Sequence, residues 1–374
     1  MAPAGERESR RTTAGIGYCR SGTYAAGVYA AGNQALGGGR MPSEPSAVPS
    51  RAPIDQIRVA VITPLAVRAA LQLGVFTPLA GGPMTAAQLA DVLGVKTRRL
   101  DMLLHQLVVA GFLERNGDRF ANTAMADHYL VEGRPGYFGG IHELWTEMFA
   151  AQMKTAESIR ADAPQAKVDF SGMSQEQLGG FLRGVHGGAV AAGRDLAAKP
   201  LFAQARRLAD VGGGSGGVAI ALCEQHRHLR ATVFDLPSVV PIAREMIDEA
   251  GLADRIAVET SDILDKPLPG EFDVATARNL FQVLSADQGR RTAANIAAAL
   301  PAGGTFFVVG HICDDSRLSP ENSVGMNMNF LNMFDDGEAY TESQYRGWLD
   351  EAGFADTVRE PFMQGTSLLT ARKA

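Results

Sequence analysis

The sequence predicts a Rossmann-like α/β domain in its C-terminal part, preceded by a mainly helical domain with a winged-helix pattern. Two observations predict the α/β domain. An apolar strand at residues 208–211 runs into a glycine-rich turn at residues 212–217 that opens a helix. About 20 residues further on, a second apolar strand ends in Asp235. Glycines let the backbone approach a nucleotide-like ligand, and an acid at this place accepts hydrogen bonds from ribose hydroxyls.

The glycine turn fits two ligand classes, dinucleotides and S-adenosylmethionine. Gly212, Gly214 and Gly217 match G-x-G-x-x-G, which alone is a weak signal in a chain of 42 glycines. Together with Asp210 and Gly216 the turn also matches D-x-G-x-G-x-G, the loop typical of class I methyltransferases. A carboxylate at Asp210 would either take the amino group of the cofactor or order the loop, and it would crowd a dinucleotide pyrophosphate. The turn therefore favours S-adenosylmethionine over NAD.

The segments after the turn continue one doubly wound unit. Residues 255–259, 272–277 and 305–310 read as further strands, and residues 286–300 have the pattern of a helix that stops at Pro301. Open α/β sheets bind ligands at the carboxyl ends of their strands. The polar side chains predicted at such ends are Asp210, Asp235, Asp262, Arg278 and His311.

With these motifs in place, residues 54–374 resemble the S-adenosylmethionine-dependent O-methyltransferases of the plant caffeate and bacterial natural-product type. The motifs that carry the resemblance are residues 210–216, 234–237, 251–255, 261–263, 301–304, 340–342 and 352–354. The resemblance implies a class I methyltransferase domain and a cofactor site in which the glycines line the methionine portion, Asp235 binds the ribose and Asp262 with Ile263 holds the adenine. The implied cofactor-binding set is Asp210, Gly212, Gly214, Asp235, Leu236, Asp262, Ile263 and Arg278.

The chain departs from this family at one informative position. The family usually carries Leu-His-Asp-Trp after the basic residue, and its histidine is the general base. Here Gln282 stands in place of that histidine. A glutamine amide positions a hydroxyl or carbonyl but does not take its proton at neutral pH. We therefore expect Gln282 to be a catalytic residue that orients the acceptor.

His311 is the candidate substitute base. It follows the fifth strand, near the place where the family often has a glutamate, and a neutral imidazole there would accept a phenolic proton directly or through water. The alternative is a histidine bonded only to the backbone or to Asp314. A divalent metal bound by His311, Asp314 and Asp315 is a weaker interpretation, and we predict no metal.

The acceptor is expected beyond the fifth strand and on the helices between the domains. Met and Phe side chains alternate there with asparagines, and buried asparagines need polar partners. This composition predicts a flat, mostly apolar, aromatic acceptor. The predicted substrate-binding residues are His142, Trp145, Phe149, Asn279, Met326, Asn329, Phe330 and Met333.

The N-terminal domain has the pattern of a helix-turn-helix followed by a wing. Residues 85–95 and 98–111 read as the two helices, and residues 112–115 and 119–122 as the hairpin. Arg98 and Arg99 are too few for a phosphate footprint, and the net charge of −6 argues against nucleic-acid binding. In the resembled family this module builds a homodimer. Residues 54–73 carry apolar side chains at helical spacing, as expected of a packed or intertwined helix.

The predicted division of the chain has four parts. Residues 1–50 are a disordered or mis-assigned extension, 51–135 the winged-helix dimerisation domain, 136–200 a helical linker contributing to the acceptor pocket, and 201–374 the cofactor-binding domain. No stretch has the length and apolarity of a membrane span. Three scattered cysteines imply no disulfide, and we expect a cytoplasmic enzyme.

Several functions remain open at this stage. The first is an S-adenosylmethionine-dependent methyltransferase of secondary metabolism, methylating a hydroxyl of a small aromatic acceptor with His311 as base. The second methylates an electron-rich carbon, such as an indole or an enolised keto acid, where Gln282 orients the acceptor and no strong base is needed. A repurposed homologue without methyl transfer and a dehydrogenase are more distant alternatives.

Overall fold

The computed structural model describes residues 49–134, 136–170 and 172–374. The extension predicted over residues 1–50 therefore lies almost entirely outside the described residues. The chain divides into two compact units, the first ending at Asp127 and the second beginning at His128. The sequence-based boundary at residue 135 lies a few residues further along.

The first unit is mainly helical and contains the predicted winged helix. Its elements are α1 (Ala52–Ala60), α2 (Ile62–Leu73), α3 (Phe76–Leu79), β1 (Met84–Thr85), α4 (Ala86–Leu93), α5 (Thr97–Val109), β2 (Leu113–Asn116) and β3 (Arg119–Asn122); α6 (Ala124–Tyr129) crosses the boundary. A capping box between Thr85 and Gln88 starts α4, and Gly94 ends it in the left-handed conformation at φ +66°. Strands β2 and β3 form the wing hairpin, and β1 pairs with β3.

The helix predicted over residues 54–73 is interrupted at Val61. The cause is Pro64, because a proline ring clashes with the carbonyl four residues earlier, and that residue is Ala60, where α1 ends. Val67 and Ala70 of α2 are buried as expected, but several other apolar side chains predicted to be packed are exposed on this chain. Ile54 and Ile57 are 66% and 69% exposed.

The second unit is built on one seven-stranded sheet. Its strands are β4 (Arg207–Val211), β5 (Arg230–Asp235), β6 (Ile256–Thr260), β7 (Val274–Arg278), β8 (Thr305–Gly310), β9 (Phe354–Pro361) and β10 (Ser367–Lys373), and its helices after α6 are α7 (His142–Gln152), α8 (Thr155–Ala161), α9 (Gln175–Ala197), α10 (Gly217–Gln225), α11 (Val240–Glu249), α12 (Ala286–Ala297), α13 (Glu321–Met333) and α14 (Glu342–Glu351). The strand order is β6-β5-β4-β7-β8-β10-β9, and β10 runs in the direction opposite to the other six strands of this sheet.

This topology confirms the predicted Rossmann-like domain. The order of the strands reverses between β4 and β7, which is where open α/β sheets bind ligands. Both faces of the sheet are buried, so successive residues of one strand belong to opposite cores. Phe307 packs with the cluster that includes residues of α9, α10 and α11, and its neighbour Phe306 packs with the cluster on α12 and α14.

Helices α9 and α10 approach so closely that each places a glycine at the contact. A Cβ built on Gly193 would lie 2.7 Å from the carbonyl oxygen of Val218, and one on Gly217 would lie 2.8 Å from Cβ of Ala189. Since α10 begins directly after the glycine turn, this contact fixes the turn against α9. Within the described residues, no helix is both long and apolar enough to cross a membrane.

The glycine contact predicts opposite effects of the same substitution at two places in α9. Gly193→Ala should lower the free energy of unfolding by about 1–3 kcal/mol, because a methyl group is forced into a packed backbone contact. Gly180→Ala should raise it by up to about 1 kcal/mol, because a Cβ there meets no atom within 4 Å and alanine favours the helix. Urea denaturation of both variants measures this, and equal effects would contradict the close contact.

Candidate active site

A cavity of about 750 Å³ opens at the carboxyl ends of β4–β8, within the second unit. It gathers the predicted polar residues because parallel strands end at one edge of the sheet. Every residue of the predicted cofactor-binding set and both predicted catalytic residues line it: Asp210, Gly212, Gly214, Asp235, Leu236, Asp262, Ile263, Arg278, Gln282 and His311.

Asp210 is the most deeply buried charged group of the site. Its side chain has no solvent exposure, and Oδ1 accepts a hydrogen bond from the Thr276 hydroxyl at 2.9 Å. Its Oδ2 makes no hydrogen bond to any described residue. Burial raises the pKa of Asp210 to about 6, although hydrogen bonding from Thr276 and from the backbone N–H of Ala219 acts against that rise. A buried carboxylate oxygen beside a cavity is ready to accept a hydrogen bond from a ligand.

The glycine turn folds directly over this carboxylate. A Cβ built on Gly213 would lie 2.8 Å from Asp210 Oδ2, so a side chain is excluded there. Gly212 and Gly214 have φ of +62° and +56°, in the region that favours glycine. Asp235 secures the turn from the next strand: its Oδ2 accepts from the Gly214 N–H at 2.8 Å.

Asp235 and Asp262 line the cavity with carboxylates whose acceptor positions are only partly occupied by hydrogen bonds from the backbone. Asp235 Oδ1 accepts from the N–H of Leu236 at 2.8 Å, and Asp262 Oδ1 accepts from that of Leu264 at 2.9 Å. Burial raises the pKa of Asp235, while its two backbone hydrogen bonds act to lower it. A carboxylate has about four acceptor positions, so both groups can still accept from ligand hydroxyl or amine groups.

Arg278 and Asn279 lie at the end of β7. The Arg278 guanidinium packs against α9, since a Cβ built on Gly188 would lie 3.1 Å from its Nη2. Burial lowers the pKa of Arg278, and the negative charge of Asp210 opposes that shift. Asn279 has a left-handed backbone at φ +56°, and its buried Oδ1 has no hydrogen-bond partner among the described residues.

Gln282 and His311 meet at the ends of β7 and β8. Oε1 of Gln282 accepts a long hydrogen bond of 3.4 Å from the backbone N–H of His311. The His311 ring lies 6.1 Å from that of Phe330, and its buried Nδ1 has no partner within the described residues. Burial, reinforced by the charge of Arg278, lowers the pKa of His311 to about 4. The imidazole is therefore neutral at pH 7.

The rest of the cavity wall is mostly apolar and comes largely from α7, α9 and α13. Of the predicted substrate-binding residues, those that line the cavity are Trp145, Asn279, Met326, Asn329, Phe330 and Met333. His142 and Phe149 do not line it, although they are on the same helix as Trp145. His142 instead bonds through Nδ1 to the carbonyl of Gly139 at 2.9 Å.

The asparagines of α13 divide between structure and cavity. Asn332 bonds to Ser158 at 2.6 Å and to Thr155 at 2.9 Å, and Asn327 accepts from the backbone N–H of Ala339 at 2.7 Å. Asn329 lines the cavity and accepts from Gln152 Nε2 at 3.1 Å. Of Asn327, Asn329 and Asn332, only Asn329 therefore lies where it can meet a polar group of a ligand.

Several lining residues were not singled out from the sequence. They include Leu178, Phe181, Leu182 and Val185 of α9 and Glu147 of α7. The spacing of the α9 residues marks one apolar helix face, but periodicity does not say what that face covers. Thr276 was also missed, because its bond to Asp210 joins residues far apart in the sequence.

Asp314 and Asp315, considered from the sequence as metal ligands with His311, have protein partners. Asp314 Oδ1 accepts from Arg359 at 2.6 Å, and Asp315 Oδ2 accepts from the Ser343 hydroxyl at 2.6 Å. Across the part of the chain that the structure describes, no group of three or more His, Cys, Asp or Glu residues is placed to hold a metal ion.

The raised pKa of Asp210 predicts a pH-dependent cost to folding. Its pKa is about 6 in the folded protein and 3.8 for an unperturbed aspartate, so the folded state binds more protons in this range and stability falls as pH rises through it. Between pH 4 and 7, wild type should lose roughly 2–3 kcal/mol of unfolding free energy relative to Asp210→Asn. Denaturant unfolding across this range measures the difference. A constant gap between wild type and Asp210→Asn across this range would contradict the assignment.

Comparisons with known proteins agree with this geometry. Residues 148–355 match the family model of the O-methyltransferase domain, and residues 58–132 match that of the O-methyltransferase dimerisation domain. The chain is 36% identical to the 3-hydroxy-5-methyl-1-naphthoate 3-O-methyltransferase of Streptomyces sahachiroi, over 78% of this chain and 86% of that protein. It is 32% identical to the tetracenomycin polyketide synthesis 8-O-methyl transferase TcmO of Streptomyces glaucescens, over 84% and 94%.

A solved structure of the same fold carries the expected cofactor. Human N-acetylserotonin methyltransferase, in complex with S-adenosylmethionine, superposes with a TM-score of 0.77 at 22% identity, over 89% of this chain and all of that one. The family match covers more than half of the chain, and it agrees with the resemblance found in the sequence. The chain therefore belongs to the S-adenosylmethionine-dependent O-methyltransferase family, with a catalytic domain preceded by that family's dimerisation domain.

Proposed function

We propose that this enzyme methylates a hydroxyl group of a small aromatic acceptor in bacterial secondary metabolism. The observation that carries the proposal is the division of one cavity into two ends. Acidic groups and a glycine turn stand at the strand ends, while Met and aromatic side chains from the helices form the remaining wall. Cavities of this size and composition suit drug-sized apolar ligands held by a few polar groups.

The residues present fit S-adenosylmethionine. Asp210 offers an unpartnered buried oxygen for the amino group of the methionine portion, and Gly212 and Gly214 leave room for it without a Cβ. Asp235 would accept from the ribose hydroxyls, and Asp262 with Ile263 would hold the adenine. When bound, the cofactor supplies an electrophilic methyl group whose transfer leaves the bonding electron pair on sulfur.

The other polar groups would act on the acceptor or on the cofactor's carboxylate. Arg278 is a donor that stays charged, so it favours negative charge beside it. His311 is a neutral hydrogen-bond acceptor, and its low pKa makes it a weak base. Gln282 orients the acceptor through its amide.

The acceptor is assigned from the cavity wall and from the relatives. Trp145, Phe330 and Met333 offer flat and polarisable surfaces that suit an aromatic ring. The two relatives described above are named for transfer to oxygen, one of them on a hydroxynaphthoate. We therefore prefer a hydroxyl acceptor to the electron-rich carbon considered from the sequence.

We assign the winged-helix unit to a homodimer rather than to DNA. The family's dimerisation model matches this region, and α1 and α2 expose Ile54, Ile57, Val61 and Leu65. An exposed apolar stripe of this kind favours a protein partner. Cys223 and Cys313 are free and buried, in keeping with a reducing compartment such as the cytoplasm.

Removal of the Asp235 carboxylate at the end of β5 should weaken cofactor binding. In calorimetric titrations, S-adenosylmethionine and S-adenosylhomocysteine should bind the wild type and NAD should not. Asp235→Ala should weaken the first two at least about tenfold, because it removes a ribose acceptor and the anchor of Gly214. The exposed control Asp248→Ala should bind as wild type does. Binding of NAD alone would refute the cofactor site.

The proposed dimer has a direct test in sedimentation. Wild type should sediment at twice the chain mass of 39.6 kDa. Ile54→Asp with Ile57→Asp should shift it toward the monomer, because two charges would be buried in an apolar interface. Val358→Asp, at a residue 57% exposed in the second unit, is the matched control and should remain dimeric. A wild-type monomer at micromolar concentration would overturn the assignment.

A further inference from the structure

The amide of Gln282 is held in one orientation by the main chain. The backbone N–H of His311 faces it at 3.4 Å, and an N–H group only donates, so the amide atom there is the oxygen. A Cβ built on Gly310 would also lie 3.4 Å from this oxygen, which is therefore packed against the end of β8. The NH₂ group is left for a ligand in the cavity, and it can only donate.

Neither His311 nor Asp210 is a base strong enough to take the proton of an ordinary phenol, whose pKa is about 10. His311 falls short by roughly six pKa units and Asp210 by roughly four. Asp210 is in addition assigned, under the proposed function, to the amino group of the cofactor. The titratable side chains that line the cavity are Glu147, Asp210, Asp235, Asp262, Arg278 and His311.

The surroundings of Gln282 favour an anionic acceptor instead. Arg278 ends the strand that leads to Gln282, and no described residue accepts a hydrogen bond from its guanidinium. Gln282 is 8% exposed and His311 9% exposed, so little water competes with hydrogen bonds made there. A neutral imidazole adds no charge of its own.

We infer that Gln282 donates a hydrogen bond from Nε2 to the anionic oxygen of an acceptor that binds as a phenolate, and that the acceptors are aryl alcohols acidified by a conjugated carbonyl group. The inference rests on the proposed function and specifies its substrate class. The phenolic proton passes to water before binding. An oxygen lone pair of the phenolate would then form the bond to the methyl carbon while the bond from that carbon to sulfur breaks and leaves its electron pair on sulfur, so transfer needs no proton acceptor on the protein.

The ionisation of a bound probe tests this without turnover. The probes are 4-acetyl-1-naphthol and 1-naphthol, with S-adenosylhomocysteine present, and absorbance reports the phenolate. The pKa of 4-acetyl-1-naphthol should fall by at least one unit on binding to wild type, a tenfold rise in its ionisation constant. A pKa equal to or above that of the free probe would overturn the inference.

The decisive variant is Gln282→Glu, because it keeps the oxygen that accepts from His311 and replaces only the donor. It should raise the pKa of the bound probe above that of the free one. Gln282→Leu should lose the lowering, whereas the same change at the exposed Gln204 should preserve it. If Gln282→Glu bound the phenolate as wild type does, Gln282 would not be the donor.

Turnover separates this inference from the proposed function. Wild type should methylate 4-acetyl-1-naphthol with a kcat/KM at least about tenfold above that for 1-naphthol near pH 7, because the ionised fraction changes tenfold per pKa unit. Gln282→His, which supplies the histidine usual in the family, should narrow that ratio. Equal rates for both probes would refute the inference alone. If neither probe bound or reacted, the proposed function would fail and the inference with it.

Discussion

One buried charge organises this enzyme: the carboxylate of Asp210, near the end of β4, an interior strand of the sheet. The Thr276 hydroxyl of β7 donates a hydrogen bond to it. The glycine turn passes so close to the carboxylate that Gly213 has no room for a Cβ. The arrangement costs folding free energy, since burial works against the ionised form. The two large apolar cores on either side of the sheet offset that cost. What remains is an oxygen that no described residue satisfies.

The chemistry of the cavity is divided between two kinds of element. Strand ends supply charged and amide groups, because parallel strands terminate at one edge and their last residues escape the apolar core. Helices α7, α9 and α13 supply the broad apolar wall. The proposed cofactor site is thus attached to the hydrogen-bonded sheet. The proposed acceptor site is attached mainly to helices that pack outside the sheet.

Much of this organisation follows from local sequence patterns. Buried parallel strands read as short apolar runs, and the glycine turn and the acid after β5 have a fixed spacing, so the sheet and the cofactor-facing residues were predictable. The break after Ala60 was also predictable from Pro64, but the interpretation of residues 54–73 as one helix used apolar spacing alone.

Other features depend on tertiary partners that no local pattern encodes. The sequence does not tell that Asn327 and Asn332 bond within the protein whereas Asn329 faces the cavity. It does not separate Trp145 from His142 on one helix, because the choice rests on how α7 is rotated. The departure at Gln282 was visible, but the direction of its amide required the backbone of His311.

Helix α9 connects the acceptor wall of the cavity to the glycine turn, and this connection limits how the acceptor wall can change. Its first half contributes Leu178, Phe181 and Leu182 to the acceptor wall, and its second half meets the start of α10 through Gly193. A helix of 23 residues spans roughly 35 Å. A tilt of α9 that reshaped the acceptor wall would therefore also displace the glycine turn. Exchange of side chains along the N-terminal half of the helix changes that wall and leaves the glycine turn in place.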